Sequence, residues 1–130
     1  MAQLTCIIVT PEETALEQEA DFVALPLFDG EAGVAPGHSP LIGRLGFGEM
    51  RVRQGDTVER FYVDGGFVQV RGNVVSVLTN RATLAANVDA DQAREQLEQA
   101  NQLKANTPEL MEARDRQISQ ARGQLWVTRS

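Results

Sequence analysis

The chain has 130 residues, 42% of them hydrophobic and 23% charged, with a formal net charge of −6. That is enough for one ordinary domain or a small domain with an appendage, and its acidity argues against nucleic acid or anionic lipid as the main partner. No stretch approaches the roughly 18 apolar residues of a membrane span, and the single cysteine, Cys6, rules out an internal disulfide.

Met1 to Ile7 lacks a basic n-region and a cleavage site, so no signal peptide is expected. Leu4 to Val9 is a short apolar strand ended by Pro11, with Cys6 as a buried strand residue. Glu13 to Ala20 alternates loosely, and Phe22 to Phe28 forms a further strand in which Pro26 suggests an edge or a bulge. Asp29-Gly30 is a turn. Pro40 to Leu45 and Phe47 to Arg53 are expected as two strands separated at Gly46. Gln54-Gly55-Asp56 is a hairpin turn into Thr57–Val63, and Asp64-Gly65-Gly66 is expected as another tight connection. Phe67 to Arg71 alternates, and after Gly72-Asn73 the run Val74 to Thr79 is rich in β-branched residues. Strands this short at this spacing predict an antiparallel β-sandwich or flattened barrel over residues 1–87.

Near residue 87 the composition shifts to Ala, Gln, Glu and Arg, and the period changes from about two to about 3.6. Residues 88–130 are therefore expected to form a two-helix antiparallel hairpin. Asp89 caps the first helix, with Gln92 completing a capping box. Ala93, Leu97, Ala100 and Leu103 form its apolar stripe. A three-residue link, Asn106-Thr107-Pro108, opens the second helix with Thr107 as cap. Leu110, Met111, Ala113, Ile118, Ala121 and Leu125 supply the second apolar face. The first stripe is thin, and at about 25 cal/mol per Å² it yields only a few kcal/mol. The hairpin is therefore expected to be weakly held and able to swing or open.

No catalytic constellation is visible. His38, the single histidine, sits beside Ser39 and cannot easily pair with it as nucleophile and base. Neither metal-ligand spacing nor a phosphate-binding glycine loop is present. Besides a non-catalytic subunit built to contact other proteins, two other classes stand open: a stand-alone nucleotide-sensing or ligand-binding β-sandwich, and a small jelly-roll enzyme.

The order of segments is more telling than any one of them. Val9-Thr10-Pro11-Glu12 is followed by Gly30-Glu31-Ala32-Gly33-Val34-Ala35-Pro36-Gly37-His38-Ser39-Pro40-Leu41-Ile42, then Gly48–Val52, Tyr62–Val70 and Asn73–Thr79. This collinear set resembles the epsilon subunit of F-type ATP synthases, the counterpart of the mitochondrial delta subunit. The resemblance implies a non-catalytic central-stalk component that contacts the gamma subunit and the c-ring and couples proton flow to ATP synthesis. It implies C-terminal helices that extend into the catalytic head and inhibit hydrolysis. It also implies a peripheral position on the cytoplasmic side of a bacterial plasma membrane, the bacterial origin being expected because no transit peptide precedes Leu4.

On that resemblance Pro36, Gly37, His38, Ser39 and Pro40 are candidate partner contacts near the stalk foot. Arg114, Arg116 and Arg122 of the second helix are candidates for acidic loops of the catalytic head. Some family members bind ATP through Ile/Leu-Asp-x-x-Arg-Ala. Here Val88-Asp89-Ala90-Asp91-Gln92-Ala93 keeps Asp89 and Ala93, but Gln92 replaces the arginine. Arg94 lies about 200° further round a helix and points elsewhere. ATP binding is therefore expected to be weak or absent, and neither another cofactor nor a metal is implied.

Overall fold

The computed structural model describes residues 3–12 and 14–129, without the side chains of Thr14 and Ala15. Met1, Ala2, Glu13 and Ser130 lie outside the described residues, so the expected strand start at Glu13 does too. The strands are β1 (Leu4–Val9), β2 (Thr14–Ala20), β3 (Phe22–Leu27), β4 (Gly30–Val34), β5 (Leu41–Gln54), β6 (Thr57–Arg71), β7 (Val74–Leu78) and β8 (Ala82–Leu84). A 3₁₀ turn over Ala85–Asn87 leads to the helices α1 (Ala90–Gln102) and α2 (Pro108–Val127).

The strands join in the order β2-β1-β7-β6-β5-β3-β4, with β8 also on β6. All pairings are antiparallel except β1 with β7, which is parallel and makes the sheet mixed. Residues on both halves of the long strands β5 and β6 enter one buried cluster. It includes Leu45, Met50, Val52, Phe61, Val63, Val68 and Val70, with Leu4, Cys6 and Ile8 from β1 and Val75 and Val77 from β7. A single sheet can bury one face in one cluster only by folding over on itself, which gives the two layers of a sandwich.

The fold line corrects the expected strand breaks. Gly46 and Asp64-Gly65-Gly66 do not separate strands; β5 and β6 run through them. The register passes from Leu45↔Gly66 to Phe47↔Asp64, so Gly46 lies abreast of Gly65. Gly66 adopts φ 107°, and a Cβ there would fall on the carbonyl oxygen of Leu78. Glycine is needed here to bend a strand beneath its neighbour rather than to end it. The true hairpin turn is Gly55-Asp56, where Gly55 (φ 60°) donates its N–H to Asp21 Oδ2 at 2.6 Å.

The helical pair forms as its caps dictate. Asp89 Oδ1 accepts from the Gln92 N–H at 3.0 Å, and Thr107 Oγ1 from the Leu110 N–H at 3.2 Å. The link is Leu103–Thr107, longer than expected, because α1 stops at Gln102. Of the expected stripes, Ala93, Ala100 and Ala121 are fully buried. Leu103, Leu110 and Met111, expected to be buried, are instead 46%, 48% and 46% exposed. The buried residues of α2 are Ala121, Gly123, Gln124 and Val127, all in its second half. The sandwich therefore meets the end of α2, and the apolar residues near the hairpin tip have no sheet beneath them.

Candidate functional site

The outer faces of β5 and β6 carry the polar residues on which α2 rests. Strand alternation turns Met50 and Val52 into the sandwich core and Glu49 and Arg51 outward. Yet Glu49 is only 4% exposed, because the end of α2 covers it. Its Oε2 accepts from Arg60 Nη1 at 2.8 Å and from Arg129 Nη1 at 2.7 Å. Its Oε1 accepts from Arg51 Nη1 and Arg129 Nη2, both at 3.2 Å. Arg51 in turn reaches Glu31 Oε1 on β4 at 2.7 Å. Burial works against the ionised Glu49, but hydrogen bonds from Arg129, Arg60 and Arg51 outweigh it and lower its pKa from 4.5 to about 2.

The same guanidiniums finish the helix. Arg60 Nη1 donates to the carbonyl oxygen of Val127 at 3.0 Å and Arg129 Nη1 to that of Trp126 at 2.8 Å. Cationic donors at orphan C-terminal carbonyls complement the helix dipole. Arg129 also stacks on the Trp126 ring, 4.0 Å from its centroid.

Further along α2 the contacts are neutral or singly charged. Tyr62 is fully buried, and its hydroxyl donates to Asp64 Oδ1 at 2.7 Å. Burial, then the bond to Asp64, raises the Tyr62 pKa. Gln120 Nε2 donates to the same Oδ1 at 3.1 Å. Gln96 of α1 reaches Gln120 Oε1 at 3.4 Å, and Gln124 reaches Gln96 Oε1 at 3.5 Å. The dock is thus built from small residues, glutamines and one ionic cluster.

The residues singled out from the sequence lie in separate places. Pro36, Gly37, His38, Ser39 and Pro40 form a loop tied to the β6–β7 turn, where the Gly37 N–H donates to Asn73 Oδ1 at 2.8 Å. The exposed His38 ring donates from Nδ1 to the Ser39 carbonyl oxygen at 2.6 Å. Asp89 is occupied as a helix cap, and Ala93 is buried. Asp89 and Gln92 line a cavity of about 90 Å³ shared with Tyr62 and Arg81, far below the few hundred Å³ usual for a ligand pocket. Arg94 pairs with Asp91 at 2.6 Å on the exposed face of α1. Arg114 pairs with Asp115 at 3.6 Å; Arg116 and Arg122 are exposed. Arg116 reaches an open cleft of about 750 Å³ between α2 and the fold line.

Two features were missed in the sequence. One is the Glu49 cluster. The other is an uncovered outer face of the first layer, where Ile42, Phe67 and Leu78 are exposed and Arg44 stacks on the exposed Phe28 at 4.4 Å. Register was the available signal, since Arg44, Phe67 and Leu78 lie directly across from one another. Among the described residues no group of His, Cys, Asp and Glu is placed to hold a metal. No helix among them is long and apolar enough to cross a membrane.

A model described as the beta-sandwich domain of the ATP synthase delta/epsilon chain matches residues 3–85. The ATP synthase epsilon chain of Rhodopirellula baltica is 48% identical over 126 residues, covering 97% of this chain and 98% of that one. The chain belongs to the ATP synthase delta/epsilon family. The epsilon chain of Halalkalibacterium halodurans is 33% identical over 130 residues, covering 100% and 93% of the two chains. The delta/epsilon fold recurs in a chain of the Euglena gracilis mitochondrial ATP synthase, at TM-score 0.84 and 22% identity over 95% of this chain and 79% of that one. It recurs again in the central stalk and c-ring structure of the Tetrahymena thermophila enzyme, at TM-score 0.77 and 18% identity over 98% of both. The delta/epsilon family model ends before α1, whereas both epsilon chains match this one into the helices.

Proposed function

We propose that this chain is the epsilon subunit of an ATP synthase, a non-catalytic component of the central stalk that helps couple proton flow to ATP synthesis. The observation that carries the reading is near-full-length similarity to ATP synthase epsilon chains through both the sandwich and the helices. Gamma and the c-ring are the partners this reading assigns. The uncovered apolar face with Ile42, Phe67 and Leu78 supports a protein partner on the sandwich. The loop Pro36–Pro40, held to Asn73 and exposed at His38, is a second contact. The complex would place the subunit on the cytoplasmic side of a bacterial plasma membrane.

The reading divides the chain into a rotor body, the β-sandwich of residues 1–87 that contacts gamma and the c-ring, and a regulatory arm, residues 88–130. The arm would inhibit ATP hydrolysis when it leaves the sandwich. A dock of small and polar contacts supports this, because two arrangements within a few kcal/mol of one another are what a switch needs. Arg116 and Arg122, exposed on α2, and Arg114 beside them supply cationic contacts for an acidic surface of the catalytic head. The test is co-purification. Tagged chain is expected to bring down gamma and c subunits from its native cells, and its recovery without either would overturn the reading.

A further inference from the structure

The three guanidiniums on Glu49 differ in origin. Arg51 and Arg60 stand on the same sheet as Glu49, on β5 and β6, whereas Arg129 follows the last turn of α2. A carboxylate buried as deeply as Glu49 is costly unless it is paired. When α2 lifts away, Arg129 goes with it and Arg51 and Arg60 remain. Glu49 therefore keeps two partners without the arm. Arg129 keeps its stack on Trp126 and its bond to the Trp126 carbonyl oxygen, since both belong to the arm. Arg60 gives up only the Val127 carbonyl oxygen. Neither surface is left with a bare buried charge.

We propose that Glu49 and Arg129 form a reversible ionic latch that holds the C-terminal turn of α2 on the sandwich and opens without stranding a buried ion. The inference deepens the regulatory reading of the arm and rests on it. The remainder of the dock fits a latch. Of its neutral bonds, the one from Gln120 to Asp64 joins arm to sandwich, and water replaces it at small net cost, while Tyr62 keeps Asp64 within β6 and Gln96 keeps Gln120 and Gln124 within the arm. The contact of Arg129 with Glu49 is two-pronged and charge-assisted, the stronger class of bond. Its position just beyond the C-cap of α2 means that releasing it frees the last turn of that helix first.

The chain carries its own reporter, because Trp126 is the single tryptophan and lies under Arg129. The experiment is hydrogen exchange and Trp126 emission on the full-length subunit, comparing wild type with Arg129→Gln, Glu49→Gln, the double variant and Arg51→Gln. Arg129→Gln is expected to speed amide exchange in residues 108–127 by about three- to tenfold, to change Trp126 emission, and to leave exchange in residues 41–71 unaltered. Glu49→Gln should act similarly, and the double variant should add little. Arg51→Gln, which leaves the Arg129 contact in place, should leave α2 within about twofold of wild type. Unchanged α2 exchange in Arg129→Gln, or exchange rising equally through β5 and β6, would overturn the latch. If α2 exchange rises but the reconstituted synthase hydrolyses ATP at the wild-type rate, the latch stands and the inhibitory role of the arm falls.

Discussion

Gly123 of α2 lies directly against the backbone of Phe47: a Cβ on Gly123 would stand 2.7 Å from the Phe47 carbonyl oxygen and 3.1 Å from the Tyr62 ring. A glycine inside a helix costs about 1 kcal/mol relative to alanine. Here it allows the helix to settle onto the fold line of the sandwich. Gly123→Ala therefore sets two effects against each other. The helix gains about 1 kcal/mol wherever it stands, while overpacking against a backbone carbonyl costs about 1–3 kcal/mol in the docked state alone. The helical gain is common to both states, so the overpacking alone shifts the balance, toward an undocked helix. Faster amide exchange in residues 108–127, with no loss of sandwich stability, is the expected result.

Acid should loosen the same dock. The Glu49 pKa is lowered from 4.5 to about 2. Its contribution is therefore fully present above pH 4.5 and is lost as pH falls through about 2. The charged groups around it are Arg51, Arg60 and Arg129, with Glu31 beyond Arg51. The arginines keep their charge throughout that range, so the carboxylate is the titrating member of the contact. Trp126 emission in wild type should report loosening as pH falls from 4.5 toward 2, and in Glu49→Gln that component should be missing. Identical curves for the two proteins would contradict the assignment.

How much of this was legible beforehand varied with the range of the interaction. The apolar run Leu4–Val9, the β-branched run Val74 to Thr79, and the caps Asp89 and Thr107 are local signals, and the structure has strands over Leu4–Val9 and Val74–Leu78 and both caps in place. Gly46 and Gly65-Gly66 misled because glycine marks a strand end and a bent strand in the same way; only the pairing of Leu45 with Gly66 tells them apart. The Glu49 cluster has no local signal, since alternation alone turns Glu49 outward and its decisive partner, Arg129, is eighty positions away. Leu110 and Met111 matched a helical stripe, but the sandwich does not extend beneath them, and the real contact uses Gly123 and Gln124, which no apolar pattern marks.

Tyr62→Phe tests the neutral part of the seam. It removes one hydrogen bond to Asp64 and leaves the one from Gln120. Because Asp64 keeps a donor and the ring keeps its packing, the expected loss is about 1 kcal/mol. Urea unfolding should show a lower midpoint with an unchanged slope.

ATP should bind weakly if at all. Asp89 is spent on the Gln92 N–H, Gln92 offers no permanent charge, and the cavity beside them is about 90 Å³. Calorimetric titration of the isolated subunit with ATP is expected to show no micromolar site. A micromolar dissociation constant would contradict this.

The most direct test of the arm's role is ATP hydrolysis by the reconstituted synthase carrying this subunit with and without residues 88–130. Those residues hold no member of the buried sandwich cluster, so the shortened chain should still assemble. Hydrolysis is expected to rise when the arm is absent. A rate equal to that of the full-length complex, with the shortened subunit shown to be incorporated, would contradict the arm as an inhibitor.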